Sequence, residues 1–582
     1  MDMIKLKING IEVTVPKGST ILEAAKVAGI RIPTLCWLKD LNEIGACRVC
    51  VVEVKGARNI VAACVYPAND GMEVLTNTPL VRQSRKDTLE LMLSEHRKDC
   101  LSCSRSLNCE LQALSHEYGV SEYAYPPGES ENTPFVDATD YLVRDNSKCI
   151  LCRRCVAVCR NNQHVGVIGA ANRGFEVQIR TAFDVPLSET PCVCCGQCIV
   201  VCPTGALIDR DDTNKVWRAL ADEKKHVVVA TAPSVRAQLG ESFGMPVGTN
   251  VEGKMAAALR RMGFDKVFDV DTAADITVME EATEFLHRFT EGGVLPLITS
   301  CSPGWVKFCE HYYPDMLAHL SSCKSPQGMY GALMKTYYAE KEGIDPKDIF
   351  VVSVMPCVAK KFEIKRDDMS AAGYPDVDVV VSTREIAQMI KQSGIIFEEL
   401  PDEKFDPAFG VATGAGHIFG TTGGVMEAAL RTAAETITKQ PLTKLEFECV
   451  RGIDSDIKLA EYELDGNKIR VAVTSGIANA KKLLDMVKNK EIDVHFIEVM
   501  GCSGGCVNGG GAPVQPGFVR SFTDLRTERA KVLYSIDDNS EYRKSHDNPV
   551  VKEIYETYLK HPGSDKAHHL LHTTYVPRKV YK

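Results

Sequence analysis

The chain has 582 residues, 45% of them hydrophobic, and 23 cysteines: too long for a single core and too rich in thiols for an ordinary globular chain. A formal net charge of −9 supplies no global basic patch, which argues against nucleic acid as the main partner; a mildly acidic surface suits a basic protein partner but is common among enzymes. No apolar run nears the roughly 20 residues that span a bilayer, and MDMIKLKING carries no signal core, twin-arginine pair or transit character, so the expectation is a cytoplasmic protein with no membrane partner.

In chain order, Ile4, Leu6 and Ile8, then Ile11, Val13 and Val15, alternate with polar residues and predict a β-hairpin. Pro16-Lys17-Gly18 signals a turn, and Thr20 caps a helical run carrying Leu22 and Ala25 that stops at Gly29. Leu80, Leu89, Leu91 and Met92 predict a helix over about 80–95 that leads into a short cysteine-rich loop. The stretch from Pro126 to Thr139, rich in Pro, Gly, Ser and Glu, reads as a linker, and two similar cysteine-rich units follow at 149–159 and 192–202. From about 213, strand-like runs such as His226–Ala230 and Phe350–Val354 alternate with long helical stretches, the texture of an α/β domain. There is no P-loop, and Gly414-Ala415-Gly416 with Gly420 lacks the spacing of a dinucleotide fingerprint and reads as a tight turn.

Sixteen cysteines fall between Cys36 and Cys202, in tight clusters that a reducing compartment would not pair as disulfides; the pattern is metal ligation. Cys36, Cys47, Cys50 and Cys64 resemble the loop of plant-type [2Fe–2S] ferredoxins with a longer first gap. Structural zinc is the competing reading, and the preceding hairpin and helix favour the ferredoxin. Small Gly45 and Ala46 would let backbone amides approach the sulfurs. His96, Cys100, Cys103 and Cys109 offer one imidazole and three thiolates, a set that suits zinc or a [4Fe–4S] cluster. The repeat carries most information. Cys149, Cys152, Cys155 and Cys159, then Cys192, Cys195, Cys198 and Cys202 before Pro203, form a two-cluster ferredoxin pattern in which the fourth cysteine of each run serves the other cluster. One [4Fe–4S] cluster then takes Cys149, Cys152, Cys155 and Cys202, and the other Cys192, Cys195, Cys198 and Cys159; Cys194 reads as a bystander.

The second half carries three separated elements, Thr299–Trp305, Met355–Glu363 and Glu498–Gly511, each with Pro or Gly beside its cysteine, where backbone can approach a bulky ligand. Together they resemble the signatures of the [FeFe]-hydrogenase family, and the N-terminal motifs resemble, in order, those of its larger modular members. The resemblance implies a reversible hydrogenase, an oxidoreductase acting on hydrogen through an H-cluster, in which a [4Fe–4S] cubane is bridged to a two-iron unit with CO, cyanide and dithiolate ligands. It adds one [2Fe–2S] and three accessory [4Fe–4S] clusters. It assigns Cys357, Cys502 and Cys506 to the cubane, with Cys506 bridging, and Lys360 to a cyanide ligand. Pro233, Ser234, Gln327, Met355, Phe419 and Met500 would line the pocket, and Cys301, Glu281, Ser321, Glu284 and Arg288 would carry protons. From the residues alone, Glu280–Glu284 is an ordinary helix face.

The first signature departs from the family. Cys301 stands at the relay position and Ser302 where a cubane cysteine is usual, so either Ser302 ligates as an alkoxide or Cys301 turns inward and leaves the relay to Ser302 or water. Gly501 for the usual Ala is a second departure.

The expected architecture is multidomain α+β. A β-grasp [2Fe–2S] domain covers 1–78, a small cluster domain with one histidine and three cysteine ligands 79–125, a two-[4Fe–4S] ferredoxin domain 126–212 and a large α/β catalytic domain 213–582. Rival readings are a hydrogen sensor, an Fe–S assembly scaffold and an electron-transfer subunit, since the first 110 residues also resemble a subunit of respiratory-type complexes. The kept Cys301, the full Met355–Glu363 element and the three signatures count against these in turn. Electrons would pass to ferredoxin or flavodoxin, or to flavin- and NAD-binding or further Fe–S subunits of a larger complex, including one that bifurcates electrons, since the chain has no nucleotide motif of its own.

Overall fold

The computed structural model describes residues 2–120, 125–126, 136–442, 444–453 and 456–580. Strands β1 (Met3–Ile8) and β2 (Ile11–Pro16) pair antiparallel through Asn9 and Gly10, both at positive φ, as a two-residue hairpin turn whose twist matches the strands requires. The expected alternation holds except at Ile11, which is exposed. Helix Ile21–Val27 starts with Thr20 and Glu23 in a reciprocal capping box. β3 (Val51–Val54), β4 (Val61–Ala62) and β5 (Glu73–Leu75) complete a five-stranded sheet in the order β2-β1-β5-β3-β4.

The expected helix runs Pro79–Glu95, but Leu80 and Leu91 are exposed. Val81 and Leu89, eight residues apart, carry its buried face with Arg85 between them, so of the leucines that predict the helix it is Leu89 that packs inward. Within the expected linker, residues 127–135 lie outside the described residues, and its end is not loop. β6 (Val136–Ala138) pairs β7 (Leu142–Asp145), which pairs β10 (Leu207–Asp209), so a three-stranded sheet closes the two cysteine runs; β8 (Gly169–Ala171) and β9 (Gln178–Arg180) form a hairpin between them. The two runs repeat in backbone as well as sequence. Leu151 and Cys194, then Arg153 and Gly196, take matching left-handed conformations before the short helices Arg154–Ala157 and Gln197–Val200.

The second half is built on two four-stranded sheets. β11 (His226–Thr231), β12 (Lys266–Asp269), β14 (Ile349–Met355) and β15 (Val379–Ser382) are parallel in the order β12-β11-β14-β15, with continuous Val-rich runs buried between helices. β13 (Leu297–Ile298), β18 (Phe496–Met500) and β17 (Asn467–Ser475) are parallel, with β16 (Lys458–Leu464) antiparallel at the edge. The glycines near 414 do not make a tight turn: Gly414–Ile418 is helical, capped by Thr413, and Gly416 lets it press against the Asp271 carbonyl. Among the described residues no helix is long and apolar enough to cross a membrane.

Candidate active site and its electron relay

The thiols of Cys36, Cys47, Cys50 and Cys64 are all buried and face one another, Cys50 Sγ lying 3.3 Å from Cys64 Sγ and the Cys47 amide donating to Cys36 Sγ at 3.4 Å. The Cys36 side chain, with backbone amides, pulls the Cys47 thiol down to about 6. His96 is pushed down to about 4 by burial, and its Nδ1 is buried without a partner, so a neutral imidazole with a free lone pair stands ahead of Cys100, Cys103 and Cys109.

The repeat forms two separate cavities. One is lined by Cys149, Cys152, Cys155 and Cys202, the other by Cys159, Cys192, Cys195 and Cys198. The fourth cysteine of each run thus reaches the cavity of the other. No described cysteine is in a disulfide. Burial drives the Cys149, Cys152, Cys155, Cys195 and Cys198 thiols above their usual range, an unfavourable setting for thiolates unless a cation compensates them. The buried hydroxyl of Tyr141 faces Cys192 and Cys194. These donor sets fit iron–sulfur clusters.

Contacts that the motifs do not show hold the cradles in line. Asn42 Nδ2 donates to Cys36 O at 2.8 Å and to Cys152 O at 3.0 Å. Arg154, fully buried, bonds the Cys36 and Trp37 carbonyls and pairs with Glu110 at 2.6 Å, so one side chain ties three cysteine motifs together. Gln197 donates to Cys502 Sγ at 3.2 Å and to Asn508 O at 2.8 Å, joining the second cradle to the catalytic half. Asn42 and Gln197 lie inside or between cysteine runs, which was the only sequence signal for them.

The three catalytic elements converge because they leave the carboxyl ends of strands. β14 runs into Pro356-Cys357, β18 into Gly501–Cys506 and β13 into Thr299–Ser302, while β11 delivers Ala232-Pro233. Two sheets thereby present their carboxyl ends to one crevice, the usual ligand position in open α/β sheets. The crevice cavity is lined by Cys301, Ser302, Cys357, Cys506 and Lys360 among Pro233, Gln327, Met355, Phe419 and Met500. Ser234 departs from the expected placement: it is not in that lining, and its hydroxyl donates to Gly420 O. Cys502 is not in the lining either and faces Gln197. The glycines of the third element face protein rather than ligand. A side chain at Gly509, Gly510 or Gly511 would strike the backbone of Pro356-Cys357 or Cys195-Gly196.

Lys360 is buried and donates to Cys301 O (3.1 Å), Ser325 Oγ (2.7 Å) and Glu363 (2.9 Å). Gln327 Oε1 is buried with no partner at the cavity wall. Ser302 Oγ accepts from the Gly501 amide at 3.1 Å, and a Cβ at 501 would lie 2.7 Å from it, so the two departures from the signature touch.

Glu281, Glu284 and Arg288 share one face of the helix Val270–Glu291. Arg288 donates to Glu284 at 2.6 Å, Ser321 Oγ donates to Glu284 at 3.2 Å and also faces Glu281, and Glu281 in turn faces the Cys301 thiol. Burial pushes Glu281 up to about 8. Glu498, a carboxylate that sequence reasoning gave no role, is pushed up to about 7 by burial and held by the Gly423 and Met426 amides at 2.6 and 2.7 Å.

Comparison with known proteins agrees with this geometry. Residues 225–510 match the iron only hydrogenase large subunit, C-terminal domain, and residues 523–578 the iron hydrogenase small subunit, both within the expected catalytic domain 213–582. Residues 1–79 match a 2Fe-2S iron-sulfur cluster binding domain, 85–123 the NADH-ubiquinone oxidoreductase-G iron-sulfur binding region and 142–206 a 4Fe-4S dicluster domain. The chain is 49% identical to NADP-reducing hydrogenase subunit HndD of Solidesulfovibrio fructosivorans over 100% of both chains, and 43% identical to iron hydrogenase 1 of Clostridium pasteurianum over 98% of this chain and 99% of that one. A solved structure of a variant of [FeFe]-hydrogenase HydA1 from Chlamydomonas reinhardtii matches with a TM-score of 0.56 at 42% identity, covering 62% of this chain and 99% of the other. The chain belongs to the iron-only hydrogenase family, oxidoreductases acting on hydrogen.

Proposed function

We propose that the chain interconverts protons, electrons and H2 at the crevice, where Cys357, Cys502 and Cys506 would hold the cubane of an H-cluster and Cys506 would also serve its two-iron unit. One observation carries this reading: the cavity is lined by Cys301, whose thiol feels the buried acid Glu281, and by Cys357 and Cys506, while Cys502 of the same element leaves the lining to take a hydrogen bond from Gln197 of the second cradle. The bound group supplies the redox chemistry of hydrogen. The protein's part is positioning and proton handling. Glu281, raised to about 8, holds a proton at neutral pH and can still release it; Ser321 passes protons between it and Glu284, and Arg288 stands at the outer end. Met355, Phe419 and Met500 keep the cavity wall apolar, and Lys360 offers its charge to an anionic ligand in place of one of its present contacts.

For the fourth cubane position, the Cys301 thiol faces Glu281 while the Ser302 oxygen lies against the 501–502 backbone. This supports Ser302 as ligand and Cys301 as relay. The Gly501 N–H would stabilise a serine alkoxide. Ser302→Cys should then change the cubane's electron paramagnetic resonance signal, and an unchanged signal would count against Ser302.

The reading includes one [2Fe–2S] and three accessory [4Fe–4S] clusters on the four-part division 1–78, 79–125, 126–212 and 213–582, in a cytoplasmic enzyme. Electron partners are ferredoxin or flavodoxin and an NAD(P)-linked flavin subunit. Near-complete alignment with a subunit of an NADP-reducing hydrogenase supports the second. The test is an anaerobic infrared spectrum of the matured protein with H2 uptake on the same sample. CO and cyanide bands with turnover are expected. Iron without such bands would overturn the reading.

A further inference from the structure

Lys307 is a buried charge beside the second cradle. It lies on the helix Pro303–Tyr312, which leaves the crevice at Ser302 and runs behind the second cradle. The helix is clamped to the cysteine run at its first turn, where a Cβ at Gly304 would lie 3.2 Å from Val193 O and 3.8 Å from Cys195 Cβ. Lys307 is only 6% exposed, yet among the described residues no carboxylate lies within ion-pair distance of its ammonium. What surrounds it is one thiol and two rings: Nζ donates to Cys194 Sγ at 3.3 Å, and it sits 4.6 Å from the centre of the Phe362 ring and 5.9 Å from that of Tyr141.

The buried cation that lines both cavities contrasts with it. Arg144 lines both cavities but has its counter-charge in the protein, Asp137, 3.0 Å away. An ammonium taken out of water with no paired anion is costly, and such charges persist where an anion compensates them. Aromatic faces offset part of that cost. The remaining anionic groups here are thiolates. Cys194 stands between the ligands Cys192 and Cys195, so the ammonium held at its sulfur lies beside that corner of the cradle. The Tyr141 hydroxyl faces Cys192 and Cys194, so two donors converge on the Cys192–Cys194 corner.

We propose that Lys307 is the fixed counter-charge of the cluster held by Cys159, Cys192, Cys195 and Cys198, and that Cys194, left out of the ligand set, is the soft acceptor that locates it. The proposal rests on the cluster assignment above and deepens it. A reduced cluster carries one more negative charge than an oxidised one. A fixed cation behind it in a low-dielectric wall therefore favours the reduced form and raises its potential. The twin cradle lined by Cys149, Cys152, Cys155 and Cys202 is set differently: Arg144 is paired with Asp137 and Arg154 with Glu110, and buried Arg105 donates to the Cys202 carbonyl at 3.3 Å rather than to a thiol. Lys307 then holds an electron on the cluster next to the catalytic cavity more firmly than that cluster would hold it without the charge. Lys307 is a positioning residue in this account, since it touches no reacting atom.

The test is a redox titration of the holoenzyme followed by electron paramagnetic resonance. Lys307→Met keeps the length of the side chain and removes its charge. It should lower the midpoint potential of one [4Fe–4S] cluster and leave the other clusters in place, with iron content unchanged. Lys307→Arg keeps the charge and should hold that potential near wild type. Cys194→Ser should keep every cluster, with a smaller shift in the same direction. Unmoved potentials in Lys307→Met, equal shifts in the Met and Arg variants, or loss of a cluster in Cys194→Ser would each overturn the proposal. If Lys307→Met fails to load that one cluster while Lys307→Arg loads it fully, the need for charge stands; failure of both overturns it. These signals do not depend on the two-iron unit. Failure of the H-cluster reading would appear separately, as missing infrared bands.

Discussion

The relay half and the catalytic half both gather cysteines, but by opposite means. In the two-run repeat of the relay, ligands a few residues apart lie on loops that bend through left-handed residues such as Leu151, Arg153, Cys194 and Gly196, and a short stretch of chain nearly closes each cradle by itself. In the catalytic half, Cys301, Cys357 and Cys502 are far apart in sequence and meet only because β13, β14 and β18 end at one crevice. Local chain geometry therefore specifies the first kind of site, and sheet topology the second. Loss of a ligand should accordingly be confined to the half that holds it.

The largest expected effect is at the crevice. Cys502→Ala should reduce H2 turnover at least ~100-fold with loss of one cubane, while the relay signals persist, as ligand and supporting-shell losses at metal sites do. Loss of the relay clusters as well would break the contrast between the halves. Next comes the proton chain. Glu281→Gln should cut turnover by ~10²–10⁴-fold without losing iron. Burial raises the folded-state affinity of Glu281 for its proton, so its contribution to stability is full at low pH. That contribution is lost as pH climbs from the ordinary carboxyl range through about 8. The melting temperature of Glu281→Gln relative to wild type should therefore rise between pH 5 and pH 8; a flat difference would argue against the buried acid.

At the relay, Arg154→Met strands Glu110 and frees two carbonyls, and should cost ~3–5 kcal/mol in denaturant titrations while the catalytic infrared bands survive. Gln197→Leu removes the donor to Cys502. It should slow H2-driven reduction of a protein acceptor by ~10-fold. Hydrogen–deuterium exchange at the crevice, which needs no relay electron, should be left intact. The smallest effect separates buried from exposed positions on one helix: Leu89→Ala should cost ~2–5 kcal/mol, whereas exposed Leu80→Ala should stay within ~0.5 kcal/mol.

The cysteine runs, the hairpin with its capped helix and the three catalytic elements were all legible in the sequence, because each is fixed by neighbours a few residues away: ligand spacing, period-two alternation, a Thr–Glu capping box. The leucines near 80–95 marked the helix but not its buried face: Leu89 packs inward while Leu80 and Leu91 are exposed, because a helix buries whichever face its neighbours cover, and here that face carries Val81, Arg85 and Leu89. The glycines of the third element are needed for the backbones of two other segments, and no pattern within 498–511 names those segments. Asn42, Arg154 and Gln197, which splice one cradle to the next, likewise act across 110 to 311 residues of chain. The sequence by itself determined which atoms can bind metal, since thiol chemistry and local spacing are written residue by residue. Only the tertiary structure decided how the metal sites are wired and where an unpaired charge such as Lys307 stands, because burial and long-range contact belong to the packed chain and to no segment of it.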